Sequence, residues 1–420
     1  MLVLGDGIGG AEPVLHGIVE VLLRRPALTH RRSTVLMATV FSLALPATSL
    51  FSAKIFDKAA KKQLATYLDD ICQWILARDQ ASESGEIRSV ASDPFFLQGN
   101  LARVLMAGSE LTKNNARYLE EALRWCDRFV SQQQRVSTSL GNEAGYWANP
   151  ATPEIIDLSG NSLAAVALAR GYSYADGTRR KSYQQALERY SKFLLEGVKA
   201  DSTKALPASP GWLATQGEAS GAMGFGYAKG KVLLKPATSA TAAGAAFFAQ
   251  LYGIAGNKQY RDASLSAVDW ILRNRRPNGE IPNLFEGDES QDAPFTMITL
   301  CAEAIQAASY LLGDSALQQR LGTELDNTVR QVMRVQGENG TWGEGQDRQG
   351  CSGIVTLLAW YYLSFKGDET IPQSLDKFWQ YVSNPVHSQS FGVLLNPVAT
   401  GWMGLTTAEM IKPGITFKKV

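Results

Sequence analysis

Three aspartates stand directly before stretches rich in alanine, glycine and other small residues. They are Asp93 in SDPFF, Asp157 in EIIDLSGN and Asp292 in QDAPF. A carboxyl group can donate a proton to a glycosidic oxygen or take one from an attacking water. Aspartate is also a favoured helix N-cap, so each position has a structural explanation as well. As a set, these three are the candidate catalytic residues.

Aromatic and acidic side chains are frequent in the segments between the predicted helices. Aromatic rings stack on the apolar faces of pyranosides, and carboxylates accept hydrogen bonds from sugar hydroxyls. Glu143 and Glu344, flanked by glycine and aromatic residues, are an alternative catalytic pair or simply exposed side chains. The candidate substrate-binding residues are Glu143, Tyr146, Trp147, Trp212, Glu218, Phe225, Trp342, Glu344, His387 and Trp402.

The segment QGENGTWGEG at 336–345 contains Q-x-x-x-G-x-W, a repeat also found in squalene- and terpene-cyclising enzymes. Looser relatives follow other predicted helices, as in Gly145-Tyr146-Trp147 and Asn278-Gly279. A cyclase that protonates an alkene also needs an acidic D-x-D-D-type cluster, and the sequence has none. We therefore interpret the motif as structural: glycine turns the chain where a helix ends, and tryptophan packs against that end.

Two kinds of predicted helix alternate along the chain. The first kind is amphipathic and repeats a common spacing of apolar residues in 64–75, 119–130, 183–194 and 260–271, with two looser copies later. An aromatic residue recurs at one position: Trp74, Phe129, Phe193 and Trp270. The second kind is rich in alanine and glycine, which allow backbones to approach closely.

The alternation predicts an all-α fold, an (α/α)6 toroid over residues 54–420 with an inner and an outer ring of helices. Short turns follow the inner helices, whereas long loops follow the outer helices. All the long loops then lie on one face of the ring, and functional residues are often carried by such loops. This face is the predicted active-site face.

Composition excludes several classes of function. Forty-one basic and 40 acidic residues give no excess charge for binding nucleic acid or an anionic membrane. Three histidines and four dispersed cysteines without a C-x-x-C do not indicate a metal site. We expect no metal and no cofactor.

The first 53 residues have the pattern of an export signal or an N-terminal extension. Arg31 and Arg32 precede an apolar run and then small residues, the order found in signal peptides. The paired arginines fit a twin-arginine signal. We therefore expect a periplasmic or extracellular protein, without stable membrane association beyond this segment.

The predicted architecture resembles the six-hairpin glycosidase superfamily, which also contains sugar epimerases and, with modified rings, polysaccharide lyases. SDPFF and IIDLSGN are similar to stretches of its unsaturated glucuronyl hydrolases, with Asp93 and Phe96, and Asp157 and Asn161, in step. The resemblance implies that Asp157 is the general acid/base, which protonates the substrate double bond and activates water. It implies that Asp93 is its partner.

The leading functional prediction is an exported enzyme that hydrolyses a glycosidic bond in oligosaccharides by carboxylate acid/base chemistry. One alternative is a uronic-acid polysaccharide lyase or a sugar epimerase, in which Tyr146, Tyr227 and His387 would matter more than the aspartates. Another is a terpene-cyclase-like toroid with an apolar cavity. A fourth is a non-catalytic toroid that binds a glycan or a protein.

Overall fold

A computed structural model describes residues 56–83, 94–113, 115–149, 152–204, 206–290, 294–343, 348–365, 368–384, 387 and 393–417. The predicted export signal lies outside these residues and stays a prediction. Within the described residues there are twelve α-helices: α1 Lys58–Glu83, α2 Phe95–Leu111, α3 Asn115–Gln132, α4 Leu158–Tyr172, α5 Gly177–Glu196, α6 Thr238–Ala255, α7 Lys258–Arg273, α8 Pro294–Leu311, α9 Ser315–Arg334, α10 Arg348–Phe365, α11 Thr370–Ser383 and α12 Pro397–Ile411.

The even-numbered helices form a closed inner ring. Each packs against the next even-numbered helix, and α12 returns to α2. Small residues make this closeness possible: a Cβ added at Gly99 of α2 would lie 2.9 Å from the Leu163 carbonyl oxygen of α4. Gly353 of α10 meets Thr299 of α8 in the same way. The predicted (α/α)6 toroid is confirmed.

The odd-numbered helices surround this ring and bury their apolar faces against it. The recurring aromatic residues Trp74, Phe129, Phe193 and Trp270 are all buried, as the repeated spacing predicts. Burial of such side chains stabilises each helix by about 2–3 kcal/mol per large apolar residue. None of the helices in the described part of the chain is long and apolar enough to span a membrane.

In the part of the chain that the structure describes, seven short strands occupy the loops that follow the outer helices, where the sequence predicts only irregular structure. They form three antiparallel sheets, β1–β2, β3–β4–β5 and β6–β7. Asp157 pairs with Gly226, so the middle sheet joins two loops far apart in sequence. The strands are β1 Gln134–Ser137, β2 Glu143–Tyr146, β3 Ile155–Asp157, β4 Gly224–Ala228, β5 Lys231–Pro236, β6 Asn283–Phe285 and β7 Asp288–Ser290.

The chain end closes the face of the ring opposite these sheets. Ile415, Thr416 and Phe417, here called the tail, are buried among the C-terminal halves of the inner helices. Their backbone carbonyl groups accept hydrogen bonds from Arg170, Arg103 and Gln250 respectively, on α4, α2 and α6. Glu409 of α12 accepts hydrogen bonds from the backbone N–H groups of Gly414 and Thr416. The tail therefore occupies this end of the ring and bonds to four of its inner helices.

Candidate active site

Each of five inner helices presents at least one large polar side chain in its C-terminal half toward the ring axis. Four of them hold the tail, and the fifth, Glu303 of α8, forms an ion pair with Arg103 of α2. Because α2 and α8 are opposite members of the six-helix ring, this pair crosses the central space, which we call the lumen. The five side chains are Arg103, Arg170, Gln250, Glu303 and Glu409.

The same helix faces, followed toward the N-termini, end in partly exposed residues. Phe96 and Thr296 lie seven residues before Arg103 and Glu303, and Ser159 and Ser239 lie eleven residues before Arg170 and Gln250. Seven and eleven residues correspond to about two and three helical turns, so each pair shares a face. These four residues therefore mark the open mouth of the lumen.

Asp157 lies at this mouth as the N-cap of α4. Its two carboxylate oxygens accept hydrogen bonds from the backbone N–H groups of Ser159 and Gly160, both at 2.9 Å. Burial raises the pKa of the carboxyl group to about 6, although the two N–H groups act in the opposite direction. The carboxyl group can therefore hold a proton at mildly acidic pH while remaining partly exposed.

The surrounding backbone fixes the position of Asp157. Asn161 bonds to both backbone polar groups of Trp147 and to the Asp157 carbonyl oxygen, and it thereby clamps the loop to the first turn of α4. On the other side β4 approaches closely at Gly226, which has φ +129°. A Cβ there would lie 2.0 Å from the Ile156 carbonyl oxygen. The sequence motif that contains Asp157 and Asn161 thus has a local structural role.

The other predicted carboxylates are distributed differently. Asp93, Asp292 and Glu344 lie outside the described residues. Glu143 is half-exposed on β2, which packs on the outer helix α5, and it forms ion pairs with Arg135 and Arg189. Glu218 is exposed in a turn. Neither Glu143 nor Glu218 lies on the faces of the inner helices that border the lumen.

Four predicted sugar-binding aromatics are packed in the interior, which corrects the expectation that they line a cleft. Tyr146 stacks on Phe193, and Trp212 packs edge-on against Tyr227. Buried rings leave no face for a sugar. These loops are folded onto the outer helices, so their aromatic residues complete the apolar core. The four are Tyr146, Trp147, Trp212 and Trp342.

The structural interpretation of Q-x-x-x-G-x-W is confirmed. Gln336 donates hydrogen bonds to the carbonyl oxygens of Gly340 and of Ser374, on the next outer helix. The Trp342 indole N–H donates to the Val332 carbonyl oxygen. Gly340 has φ +84° and lies against α11, where a Cβ would meet the backbone of Lys377 at 2.6 Å. The motif ties α9 to α11.

A second copy of this arrangement follows α3. Gln133 donates to the Ala186 carbonyl oxygen of α5, again the next outer helix. The Trp147 indole N–H donates to the Phe129 carbonyl oxygen, four residues before Gln133 as Val332 is before Gln336. Gly145 stands two residues before Trp147, as Gly340 does before Trp342. Trp147 therefore has the same structural role as Trp342.

Of the remaining predicted residues, Phe225 and Trp402 are buried as well, and His387 is partly exposed. Trp402 shares a face of α12 with Thr406, which bonds to Thr356 of α10, and it lies one turn closer to the mouth. Phe225 of β4 packs edge-on against Phe285 of β6. His387 stacks on Tyr381 of the outer helix α11. Trp402 is thus the predicted aromatic best placed toward the lumen.

Sequence reasoning overlooked the lumen-facing polar residues. A large polar residue in each otherwise small and apolar inner helix is the signal that could have found them, as in LARVLMAG and CAEAIQAA.

Among the described residues, no group of histidine, cysteine or acidic side chains could hold a metal ion. A separate groove of about 570 Å³ lies outside the ring and is lined by Asn278, Asp326, Arg330, Tyr361 and Asp368 among others.

Comparisons with known proteins extend this picture. No protein-family model and no curated protein matches the chain. Several solved structures, however, match the chain. A polysaccharide lyase matches with a TM-score of 0.56 and 12% identity over 83% of this chain and 97% of its own. An α-1,6-mannanase from Salegentibacter sp. HEL1_6 matches with a TM-score of 0.53 and 12% identity, over 83% and 98%.

A cellobiose 2-epimerase from Spirochaeta thermophila DSM 6192 matches with a TM-score of 0.51 and 14% identity, over 76% of this chain and 87% of its own. Identities of 12–14% establish the fold alone. The chain is a six-hairpin (α/α)6 toroid, the fold of these three structures. Their names give three different activities on carbohydrates, so the fold does not select among them.

Proposed function

We propose that this protein is an exported carbohydrate-active enzyme that hydrolyses a glycosidic bond, with Asp157 as the proton donor. The observation that supports it is Asp157 itself, a carboxyl group at the mouth of the lumen whose pKa is raised to about 6. Such a group protonates a leaving oxygen efficiently near neutral pH. The structural relatives, all named for carbohydrate activities, support the substrate class.

The proposal leaves two candidates for the second carboxylate. Asp93 precedes α2, the neighbour of α4 in the inner ring, and Asp292 precedes α8, two helices away from α4; either could activate water. The mannanase relative also exists as an inactive variant with two adjacent aspartates replaced, bound to α-1,6-mannotetrose. Here the only adjacent aspartates are Asp69 and Asp70 on the outer helix α1. We therefore do not transfer that pair's role.

The described residues give less support to the alternatives. For a lyase or epimerase, the Tyr146 and Tyr227 hydroxyls are engaged with Gln134, and with Pro207 and Ser209. Burial raises the pKa of Tyr146 to about 12 and raises that of Tyr227 as well. For a terpene cyclase, the lumen should be apolar, yet its described faces carry serines, threonines and an ion pair. A non-catalytic toroid that binds a glycan or a protein is distinguished from an enzyme by the turnover measurement below.

The test compares Asp157→Asn with the wild-type protein on 4,5-unsaturated uronides and on saturated oligosaccharides. Asparagine caps a helix as well as aspartate does but cannot donate the proton. We expect at least a roughly hundredfold loss of turnover with the fold retained. We also expect the wild-type rate to fall as the pH rises above about 6, because the protonated carboxyl group is then lost.

Asp314→Asn is the matched control. Asp314 caps α9 through the N–H groups of Ala316 and Leu317, after a short turn on the opposite face of the ring. We expect full activity from this variant. Equal turnover by Asp157→Asn and wild type would show that Asp157 only caps its helix. No turnover of any sugar by the wild type would favour the binding toroid.

A further inference from the structure

A cluster of buried polar side chains lies in the middle of the lumen, around the ion pair of Arg103 and Glu303. Asn100 lies one turn above Arg103 on α2, and Gln306 lies one turn below Glu303 on α8. Both are 1% exposed. Glu303 keeps 9% of its side chain exposed. We call these four residues the lumen base.

The lumen base contains polar atoms that the protein itself does not satisfy. Within the described part of the chain, the Asn100 side-chain oxygen and both polar atoms of the Gln306 amide have no hydrogen-bond partner. The second carboxylate oxygen of Glu303 has none either. Buried polar atoms are satisfied in nearly all native structures, so a concentration of exceptions on facing helices requires an explanation.

Packing alone does not explain these residue types. Most other buried positions of these two helices hold alanine, leucine or other small or apolar residues, which carry no polar side-chain atoms to satisfy. The four side chains also lie deep in the ring, between the mouth and the tail. Seven residues, about 10 Å of helix, separate Phe96 at the mouth from Arg103, and the tail lies beneath Arg103.

We propose that the lumen base is a terminal binding subsite for the end unit of a carbohydrate chain. The Glu303 carboxylate and the Asn100 oxygen would accept hydrogen bonds from sugar hydroxyls, and the amide N–H of Gln306 would donate one. Because the tail occupies the lower end of the lumen, a chain would enter end first from the mouth. This inference rests on the proposed function, since it takes the ligand of that site to be a carbohydrate.

The test is calorimetric binding to the full-length protein, with α-1,6-mannotetraose, cellobiose and a 4,5-unsaturated uronide disaccharide as probes. We expect at least one probe to bind the wild type, and Asn100→Ala and Gln306→Ala each to weaken it about tenfold, or about 1.4 kcal/mol. Thr407→Ala is the control, because its buried hydroxyl bonds within its own helix, to Met403. Its affinity should be unchanged.

Two outcomes would overturn the subsite: wild-type affinity in both folded variants, or no binding of any probe to the wild type at roughly millimolar concentration. A lower melting temperature with unchanged affinity would likewise make the cluster purely structural. Two variants are used because either alone could fail to fold. Arg103 is left intact, since it also holds the tail.

Binding requires no turnover, so the same titration on Asp157→Asn separates this inference from the proposed function. If both hold, that variant binds the probe with wild-type affinity and does not turn it over. If Asp157→Asn stays active while Asn100→Ala binds weakly, the proton-donor role fails and the subsite stands. If Asp157→Asn loses turnover while Asn100→Ala and Gln306→Ala keep full affinity, the subsite fails and the proton donor stands.

Discussion

Asp157 combines two tasks with opposite electrostatic requirements. As a helix N-cap it accepts two backbone N–H groups, which favour its anion, and the helix dipole adds to this preference. As a proton donor it must be protonated near neutral pH. Burial decides the balance, because it raises the pKa to about 6 against the effect of the two N–H groups.

This balance predicts a pH-dependent cost of Asp157 to folding. In the unfolded chain an aspartate has a pKa near 3.9, so between about pH 4 and pH 6 the folded state binds more protons. Stability from this group is therefore present below about pH 4 and lost as the pH rises through about 6. We expect the free energy of unfolding of Asp157→Asn, relative to that of the wild type, to rise by on the order of 1–3 kcal/mol from about pH 4 to pH 7.5.

Chemical denaturation at several pH values measures this difference. Asp376 on α11 provides a comparison, because burial raises its pKa to about 7. Asp376→Asn should show the same sign, with the gain continuing to about one pH unit higher. A wild-type-to-variant difference that is constant from about pH 4 to pH 7.5 would contradict the pKa assigned to Asp157.

At the scale of elements, the glutamine–glycine–tryptophan arrangement fastens consecutive outer helices. Outer helices make few contacts with one another and pack mainly on the inner ring. The hydrogen bonds of this arrangement therefore hold neighbouring outer helices together. Gln336 makes three hydrogen bonds, two as a donor and one from the Ser374 hydroxyl. Gln133 bonds to Ala186 and Arg189 of α5 in the equivalent position.

Removing the glutamine should cost similar stability at both sites. We expect Gln336→Ala and Gln133→Ala each to lower the free energy of unfolding by about 1–3 kcal/mol, because partners in partly buried positions lose their bonds. Gln319→Ala, an exposed position on α9, should change it by less than about 0.5 kcal/mol. Urea denaturation distinguishes these values. If Gln336→Ala leaves the free energy of unfolding unchanged, Gln336 does not hold α9 and α11 together.

Most of these elements could be predicted from the sequence, because helix periodicity and small residues are local patterns. The structural role of Trp342 was predicted on the same basis. The burial of Trp212 was not, since its loop folds onto outer helix α5, and aromatic loop residues look alike whether exposed or packed. The pairing of Asp157 with Gly226 joins strands nearly 70 residues apart, and no local pattern specifies such a contact.

At the scale of the whole molecule, the tail connects helices that the chain order keeps apart. It joins the lower ends of α2, α4, α6 and α12, and the Phe417 ring lies under the Arg103 guanidinium and beside Tyr310 of α8. The sequence GITFKKV has no periodic pattern that would specify this placement, so it could not be predicted. Only the assembled ring creates the site that the tail fills.

This placement predicts that Phe417 stabilises the ring as a unit. We expect Phe417→Ala to lower the free energy of unfolding by about 3–5 kcal/mol, the range for a buried phenylalanine. Hydrogen exchange should then accelerate in the lower turns of α2, α4 and α6 as well as α12, because all four share the tail. Leu395→Ala, an exposed apolar truncation, should change neither quantity measurably. Faster exchange confined to α12 would show instead that the tail belongs to its own helix and leaves the ring to close without it.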